Sequence, residues 1–275
     1  PQVNLLFIYS ATMQYPMYYR IVPGNIREVK AFKLILEESS IKDAIIIADK
    51  GFYSQSNVAQ LQEEQLRFII PLRRTSNMVD YEPLKSKGNL GGYFKFNNRY
   101  IWYYSYPVGN FMLHCFLDEH LKNKEEHDYL NRIEKDPDTY TVENFFKKHL
   151  HFGTMAILTN INESSSEEIY TNYKSRNNIE VMIDAMKNIL NADSTYMQDE
   201  KALEGWMFIT FIALQWYYSL YRLLSNKNLL SKFSPHDLLT YLSEIKKVKI
   251  NDTWYTAEIT SKTQKIIDLL DIHIT

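Results

Sequence analysis

The sequence predicts an α/β protein: a sheet of mixed direction flanked by helices, interrupted by a β-rich segment and followed by a mainly helical region. Three observations carry this reading. Apolar, β-prone runs recur at 2–10, 15–22, 44–48, 67–72 and 154–160. Helical patterns at 28–39 and 54–65 fall between several of them, and that alternation builds a sheet with helices packed against it. After residue 193 the strand patterning gives way to long apolar stretches of helical character.

Taken in order, 2–10 (QVNLLFIYS) and 15–22 (YPMYYRIV) read as two adjacent strands forming a hairpin, with Pro23-Gly24-Asn25 as the turn that closes the second. Val29, Phe32, Leu34, Ile35 and Leu36 give 28–39 an apolar helical face. The run AIIIA at 44–48 is continuous in the way a buried central strand is, and it ends at Asp49-Lys50-Gly51-Phe52. Ser54 or Ser56 caps a helix through Gln65, and RFIIPL at 67–72 is a further strand. Open sheets place their sites at the carboxyl ends of strands, and Asp49 occupies that place. A turn aspartate beside Gly51 is the competing reading.

From 73 to 153 the texture changes. Residues 93–96 and 99–106 flank Asn97-Asn98 as a hairpin, 111–117 reads as a third strand, 121–138 as an exposed charged helix and loop, and 141–150 as a short helix. This predicts a β-rich module inserted into the sheet domain. The chain thus divides into 1–72 and 154–192 as two parts of one core, 73–153 as the insertion, and 193–275 as the helical region. Residues 203–224 (LEGWMFITFIALQWYYSLYRLL) are long enough to span a bilayer. Gln215, Arg222 and the hydroxyls of Tyr217, Tyr218 and Tyr221 favour a helix buried against the sheet, with no membrane partner. Ser234-Pro235 opens a helix through Lys247, 248–257 holds two short strands, and 261–270 forms a last helix.

The 275 residues suffice for a substantial core, and 45% hydrophobic with 23% charged content is ordinary for a globular protein. Cys115 alone excludes an internal disulfide and a cysteine zinc site, which fits a reducing cytoplasm. The net charge of -2 provides no overall attraction to nucleic acid, so any DNA binding needs local basic patches.

The stretch with the densest chemistry is 173–187. Apolar residues recur at Ile179, Met182, Ile183, Met186 and Leu190. On one continuous helix, at about 100° per residue, Tyr173, Arg176, Glu180, Asp184 and Lys187 fall within roughly 80° of one another. The bland alternative is a solvated face with ordinary neighbours at helical spacing. Two separated carboxylates, Asp49 and Glu180, suit a hard divalent cation, and Arg176 and Lys187 suit phosphate. Two such ions about 3.5–4 Å apart serve phosphodiester cleavage.

On these residues the chain resembles a DDE transposase of the bacterial insertion-sequence type, with an RNase H-like core. Tyr173, Arg176, Glu180 and Lys187 match the Tyr–two–Arg–three–Glu–six–Lys signature of one subgroup. Ala48-Asp49-Lys50-Gly51-Phe52 resembles the second acidic motif, and Gly24-Asn25, Thr159-Asn160 and Gln264-Lys265 also resemble family positions. The resemblance implies Asp49 and Glu180 as catalytic and metal-binding carboxylates, and Tyr173, Arg176 and Lys187 as contacts to transposon-end DNA. It implies two Mg²⁺ or Mn²⁺ ions in an intact site, double-stranded DNA at transposon ends as partner, a homodimer on that DNA, and a cytoplasmic, nucleoid-associated location. The reaction implied is metal-dependent cleavage and strand transfer in cut-and-paste transposition. Trp102 and Tyr103 are candidate stacking residues beside the alternative of hairpin core, and Arg73, Arg74, Lys85 and Lys87 are candidate backbone contacts beside a solvated face.

No acidic residue precedes Glu28. The family's first aspartate sits on a strand before the segment that Gln2 opens, so the expectation is a fragment lacking that strand, inactive in strand transfer as given. Another RNase H-like nuclease, or an inactive remnant acting as a DNA-binding or interaction module, stay open as alternatives.

Overall fold

The computed structural model describes residues 3–24, 28–39, 41–192, 195, 197 and 199–274, with the side chains of 28–31 and 33 outside the description. Asn25 of the expected turn and the Val29 side chain therefore lie outside the described residues. The chain divides into two compact units. The first holds Val22–Asn177 with Val3 and Asn4; the second holds Leu5–Ile21 and Asn178–Thr275.

The first unit is built on a six-stranded mixed sheet. Its strands are β3 (Ile45–Ile47), β4 (Arg67–Leu72), β5 (Gly92–Phe96), β6 (Arg99–Val108), β7 (Phe111–Asp118) and β8 (Thr154–Thr159), in the order β3-β4-β8-β7-β6-β5. Only β3 and β4 run parallel; the other neighbours are antiparallel. The strands of the β-rich segment are thus hydrogen-bonded directly onto β8 and extend the same sheet. β7 has a strand's alternation on both faces, so it buries a core on each side. Among the described residues β3 stands at the sheet's edge and its three isoleucines are half-buried, where the sequence predicts a buried central strand. An all-apolar run of three residues cannot by itself distinguish the two positions.

Side-chain alternation sends Phe68, Ile70, Leu72, Leu113, Cys115, Ala156 and Leu158 to one face. There they meet Phe32 and Leu36 of α1 (Glu28–Ser39) and Val58 and Leu61 of α2 (Gln55–Glu63), which Ser54 caps through the Asn57 amide. Ile69, Phe94, Ile101, Phe116 and Ile157 face the other way. Across that face lies α5 (Ser166–Lys174), which buries Ile169, Tyr170 and Tyr173. α5 starts where it does because Ser165 and Glu168 form a reciprocal capping box. Between these elements, α3 (Glu119–Lys135) and α4 (Val142–Lys148) share a cluster of Tyr129, Tyr140, Phe145 and Phe152.

The turn between β5 and β6 is the expected Asn97-Asn98 pair, both left-handed at φ 46° and 62°. A second local device joins β4 to the end of β8. Asn160 Oδ1 accepts from the Phe68 amide at 2.9 Å, and Asn160 Nδ2 donates to the Leu66 carbonyl at 3.0 Å. Thr159 Oγ1 donates to the Phe68 carbonyl at 2.6 Å.

In the second unit the hairpin of β1 (Val3–Ser10) and β2 (Tyr15–Pro23) forms a two-stranded sheet of its own. Leu5, Phe7, Tyr9, Tyr15, Tyr19 and Ile21 pack with α6 (Asn177–Asp184) and α7 (Glu200–Asn226) around Met182, Met186, Met207, Leu214 and Tyr218. Gln215, the polar residue inside the apolar run, donates to the Pro16 carbonyl at 3.1 Å. α7 is buried along one side only: Ile209 and Trp216 are 70% and 72% exposed. Among the described residues no helix is long and apolar enough to cross a membrane. α8 (Pro235–Ser243) and α9 (Ser261–Leu270) close a second small core with Leu224, Leu229, Leu238, Ile266 and Leu270. Between them lies a two-stranded ribbon of β9 (Lys247–Ile250) and β10 (Thr253–Thr256). This is a mixed sheet flanked by helices with a helical carboxyl-terminal region, an arrangement compatible with the RNase H-like fold.

Candidate active site

Asp49 is delivered by the parallel strand pair. β3 ends at Ile47, the Ala48 amide donates to the Ile69 carbonyl at 3.3 Å, and Asp49 then caps a single 3₁₀ turn at Lys50–Phe52. One carboxylate oxygen accepts from the Lys50 amide at 2.7 Å. The other lies 3.5 Å from Nη1 of Arg176, with the Asp49 side chain 45% exposed and that of Arg176 25%. The strand therefore presents a carboxylate to solvent at its carboxyl end with a guanidinium beside it.

Arg176 is held from below. Its amide donates to the Tyr173 carbonyl at 3.1 Å, and its guanidinium carbon sits 5.5 Å from the centre of the Tyr173 ring. The Tyr173 ring is buried at the end of α5 against the sheet, so it acts as a floor for the arginine. Three of the residues singled out from sequence, Asp49, Tyr173 and Arg176, are thus brought together in the first unit.

The continuous helix expected across 173–187 is not formed. α5 stops at Lys174, where the Ser175 hydroxyl donates to the Asn172 carbonyl at 2.6 Å and Ser175-Arg176 form a turn. α6 starts at Asn177, and a π-turn takes over at Ala185–Ile189, with Asn188 donating to Asp184 at 2.6 Å. A π-turn widens the helix, so the angular phase computed for one regular helix is lost on passing through it. Glu180, Asp184 and Lys187 are exposed on these pieces in the second unit, while Met182, Ala185 and Met186 turn inward.

Beside Tyr173 the first unit holds a cleft of about 720 Å³. Its lining includes Lys50, Arg73, Arg74, Arg99 and Lys174 against the carboxylates Asp118 and Glu125, a net of three positive charges. Both carboxylates are committed. Arg99 Nη1 lies 2.8 Å from Asp118, which also caps α3 through the Leu121 amide. Arg74 grips Glu125 with two bonds of 2.9 and 3.0 Å and donates through Nε to the Thr154 carbonyl. Burial is the main reason the Tyr170 hydroxyl in this wall is pushed up to about 12, so it remains a neutral donor.

Of the candidate basic residues, Arg74 is held between elements, while Lys85 and Lys87 stay largely exposed in surface ion pairs. Arg74 is a fastener between β4, α3 and β8, and Lys87 pairs with Glu119 at 2.9 Å while lying 5.0 Å over Trp102. Lys85 pairs with Glu82 at 2.7 Å. Trp102 and Tyr103 point to opposite faces, Tyr103 into the core beside α5 and Trp102 under Lys87. The pairs that shape the cleft, Arg74–Glu125 and Arg99–Asp118, join residues 51 and 19 positions apart and carry no local sequence signal.

Among the described residues no group of three or more histidines, cysteines, aspartates or glutamates stands together as a metal cage. Asp49 is the carboxylate that the first unit offers at the strand end. Mg²⁺ takes one or two protein carboxylates and completes its shell with water and phosphate, so an exposed strand-end carboxylate is the kind of donor such an ion uses.

No curated protein matches the chain. A family model described as a transposase DDE domain matches residues 1–216, most of the chain and all of the elements that carry Asp49, Tyr173, Arg176, Glu180 and Lys187. The chain belongs to the DDE transposase family.

Proposed function

We propose that this chain is the catalytic domain of a transposase whose reaction is metal-dependent cleavage and strand transfer at transposon ends, in cut-and-paste transposition. Asp49 and Glu180 are its metal-binding carboxylates, and Tyr173, Arg176 and Lys187 its contacts to end DNA. The observation that carries the reading is the solvent-facing Asp49 carboxylate at the end of β3, with Arg176 at 3.5 Å and a net-positive cleft alongside. Mg²⁺ or Mn²⁺ is the ion the oxygen donors suit, and when bound it polarises the scissile phosphate and activates the attacking water or hydroxyl. Double-stranded DNA is the substrate, bound by a homodimer.

The residues have separable tasks in this reading. Arg176 lies 3.5 Å from a half-exposed aspartate, and a DNA phosphate can take the aspartate's place at the planar guanidinium fork in a charge-assisted contact. The Tyr173 ring beneath keeps that fork aligned during the exchange. Lys187 acts as a point charge with no fixed geometry.

The test is fluorescence anisotropy with a labelled duplex over a salt series. Binding weakens steeply with salt, and Arg176→Ala lowers the slope of log affinity against log salt by about one, since each phosphate contact contributes about 0.9. Mn²⁺ tightens binding of the unsubstituted chain but not of Asp49→Asn. Salt-insensitive binding, or an Arg176→Ala variant with unchanged slope and affinity, overturns the assignment.

A further inference from the structure

Residues 217–275 lie outside the segment matched by the family model, and this region carries an element that buries nothing of its own. All eight residues of the β9–β10 ribbon are exposed, Val248, Ile250, Trp254 and Tyr255 among them at 47–62%. A lone two-stranded ribbon is marginally stable in water unless something covers it. This one is nevertheless preorganised at both ends. At its tip Asn251 and Asp252 are left-handed, at φ 46° and 66°, as a type I′ hairpin turn requires. At its base the Ala257 amide donates to the Lys246 carbonyl at 2.8 Å. Glu244, just before the base, accepts from the Thr263 hydroxyl of α9 at 2.7 Å and so ties the ribbon to its flanking helices.

The register sorts the ribbon into two faces. Lys247 opposes Thr256 and Lys249 opposes Trp254 on one; Val248 opposes Tyr255 and Ile250 opposes Thr253 on the other. The surrounding sequence is locally basic. Residues 245–267 hold five lysines against Asp252 and Glu258, a net of three positive charges in a chain whose total is -2.

We propose that the β9–β10 ribbon is an arm that enters the major groove of the DNA duplex. The inference rests on the DNA-binding reading given above and adds a contact surface to it. The major groove is about 12 Å wide and admits a two-stranded ribbon. The methyl- and hydroxyl-bearing face meets base edges, where thymine methyls and hydrogen-bonding groups are available. Lys247 and Lys249 on the outer face have stems long enough to reach the phosphates that rim the groove, Lys249 by exchanging its exposed 2.6 Å pair with Asp252 for a phosphate. A second copy of the chain is the competing occupant. The local positive charge opposes like-on-like docking, and a four-residue face is far short of the roughly 800 Å² per partner of a stable protein interface.

The experiment uses the full chain and a fluorescein-labelled, mixed-sequence duplex, with anisotropy read across a salt series. The double variant Lys247→Ala with Lys249→Ala should lower the salt slope by about two, at about 0.9 per lost phosphate contact. Tyr255→Ala should weaken binding without changing the slope. Circular dichroism checks that each variant is folded. If the unsubstituted chain binds with a steep salt slope and neither variant alters slope or affinity, the arm is refuted while the DNA reading stands. If the variants alter sedimentation but not DNA binding, the ribbon is a contact between copies and the proposal fails. If the unsubstituted chain shows no salt-dependent binding, the DNA reading fails and takes the arm with it.

Discussion

Replacing Gly153 by alanine should strongly destabilise the first unit. Gly153 opens β8 at φ +68°, with its amide donating to Glu125 at 2.8 Å and its carbonyl accepting from the Asp118 amide at 2.9 Å. A Cβ there would sit 2.5 Å from the Asp118 carbonyl oxygen and 2.7 Å from the Lys122 amide nitrogen. Both are backbone atoms at the start of α3 and cannot step aside as a side chain does. The left-handed conformation alone costs an L-residue about 1–2 kcal/mol. Overpacking against fixed atoms adds about 1–3 kcal/mol. A total of about 3 kcal/mol lowers the thermal midpoint of a unit this size by about 6–12 °C. Gly109→Ala is the matched control, because Gly109 has φ +61° with nothing within 4 Å of its absent Cβ. It carries the backbone cost without the crowding. Thermal melts followed by near-ultraviolet circular dichroism compare the two variants. Equal shifts for both, or a Gly153→Ala midpoint within 2 °C of the parent (roughly the effect of 1 kcal/mol or less), would refute the crowding argument.

His114 and Phe116 give two further tests on the face covered by α5. His114 is buried in β7, with Nδ1 2.9 Å from the Ser166 hydroxyl and no partner for Nε2, and burial lowers its affinity for a proton. The unfolded chain then binds a proton the folded one refuses, so stability is full above the ordinary histidine value of 6.5 and falls as pH drops below it. The slope from this group reaches at most about 1.4 kcal/mol per pH unit. Denaturant titrations at pH 7.5 and 5.5 should show a loss that shrinks in His114→Gln; an unchanged pH dependence removes His114 as the cause. Phe116 is 1% exposed, with ring centres of Tyr170 and Phe94 at 5.0 and 6.2 Å. Phe116→Ala should cost about 3–5 kcal/mol of unfolding free energy, and a loss below 1 kcal/mol would mean the site collapses without a cavity.

Much of this architecture was legible because local chemistry announces it. Ser54 and Ser234 each start a helix by the cap their side chains provide, and Asn97-Asn98 turns a hairpin through its tolerance of positive φ. The cysteine count and the net charge constrained less. What escaped the sequence was interruption and pairing. Apolar positions at Ile179, Met182, Ile183 and Met186 keep a helical period through 173–187, and neither a proline nor a glycine marks the stops at Ser175 or Ala185. Three isoleucines in β3 read as a central strand because apolarity reports burial preference and not sheet order. Arg74 looked like a surface cation because its partner Glu125 comes from an element on the far side of the hairpin.

Asn160 is one of the positions at which the chain resembles the family. Its amide supplies one acceptor and one donor at the spacing of a peptide group, and both are used on the β4 backbone at Phe68 and Leu66. In effect the side chain impersonates the next residue of a strand that has already ended. Aspartate has the shape without the donor, and glutamine has the groups on a stem one carbon too long. The backbone bonds alone suffice to require asparagine here, so a motif position can mark a fold through what its side chain does for a neighbouring strand.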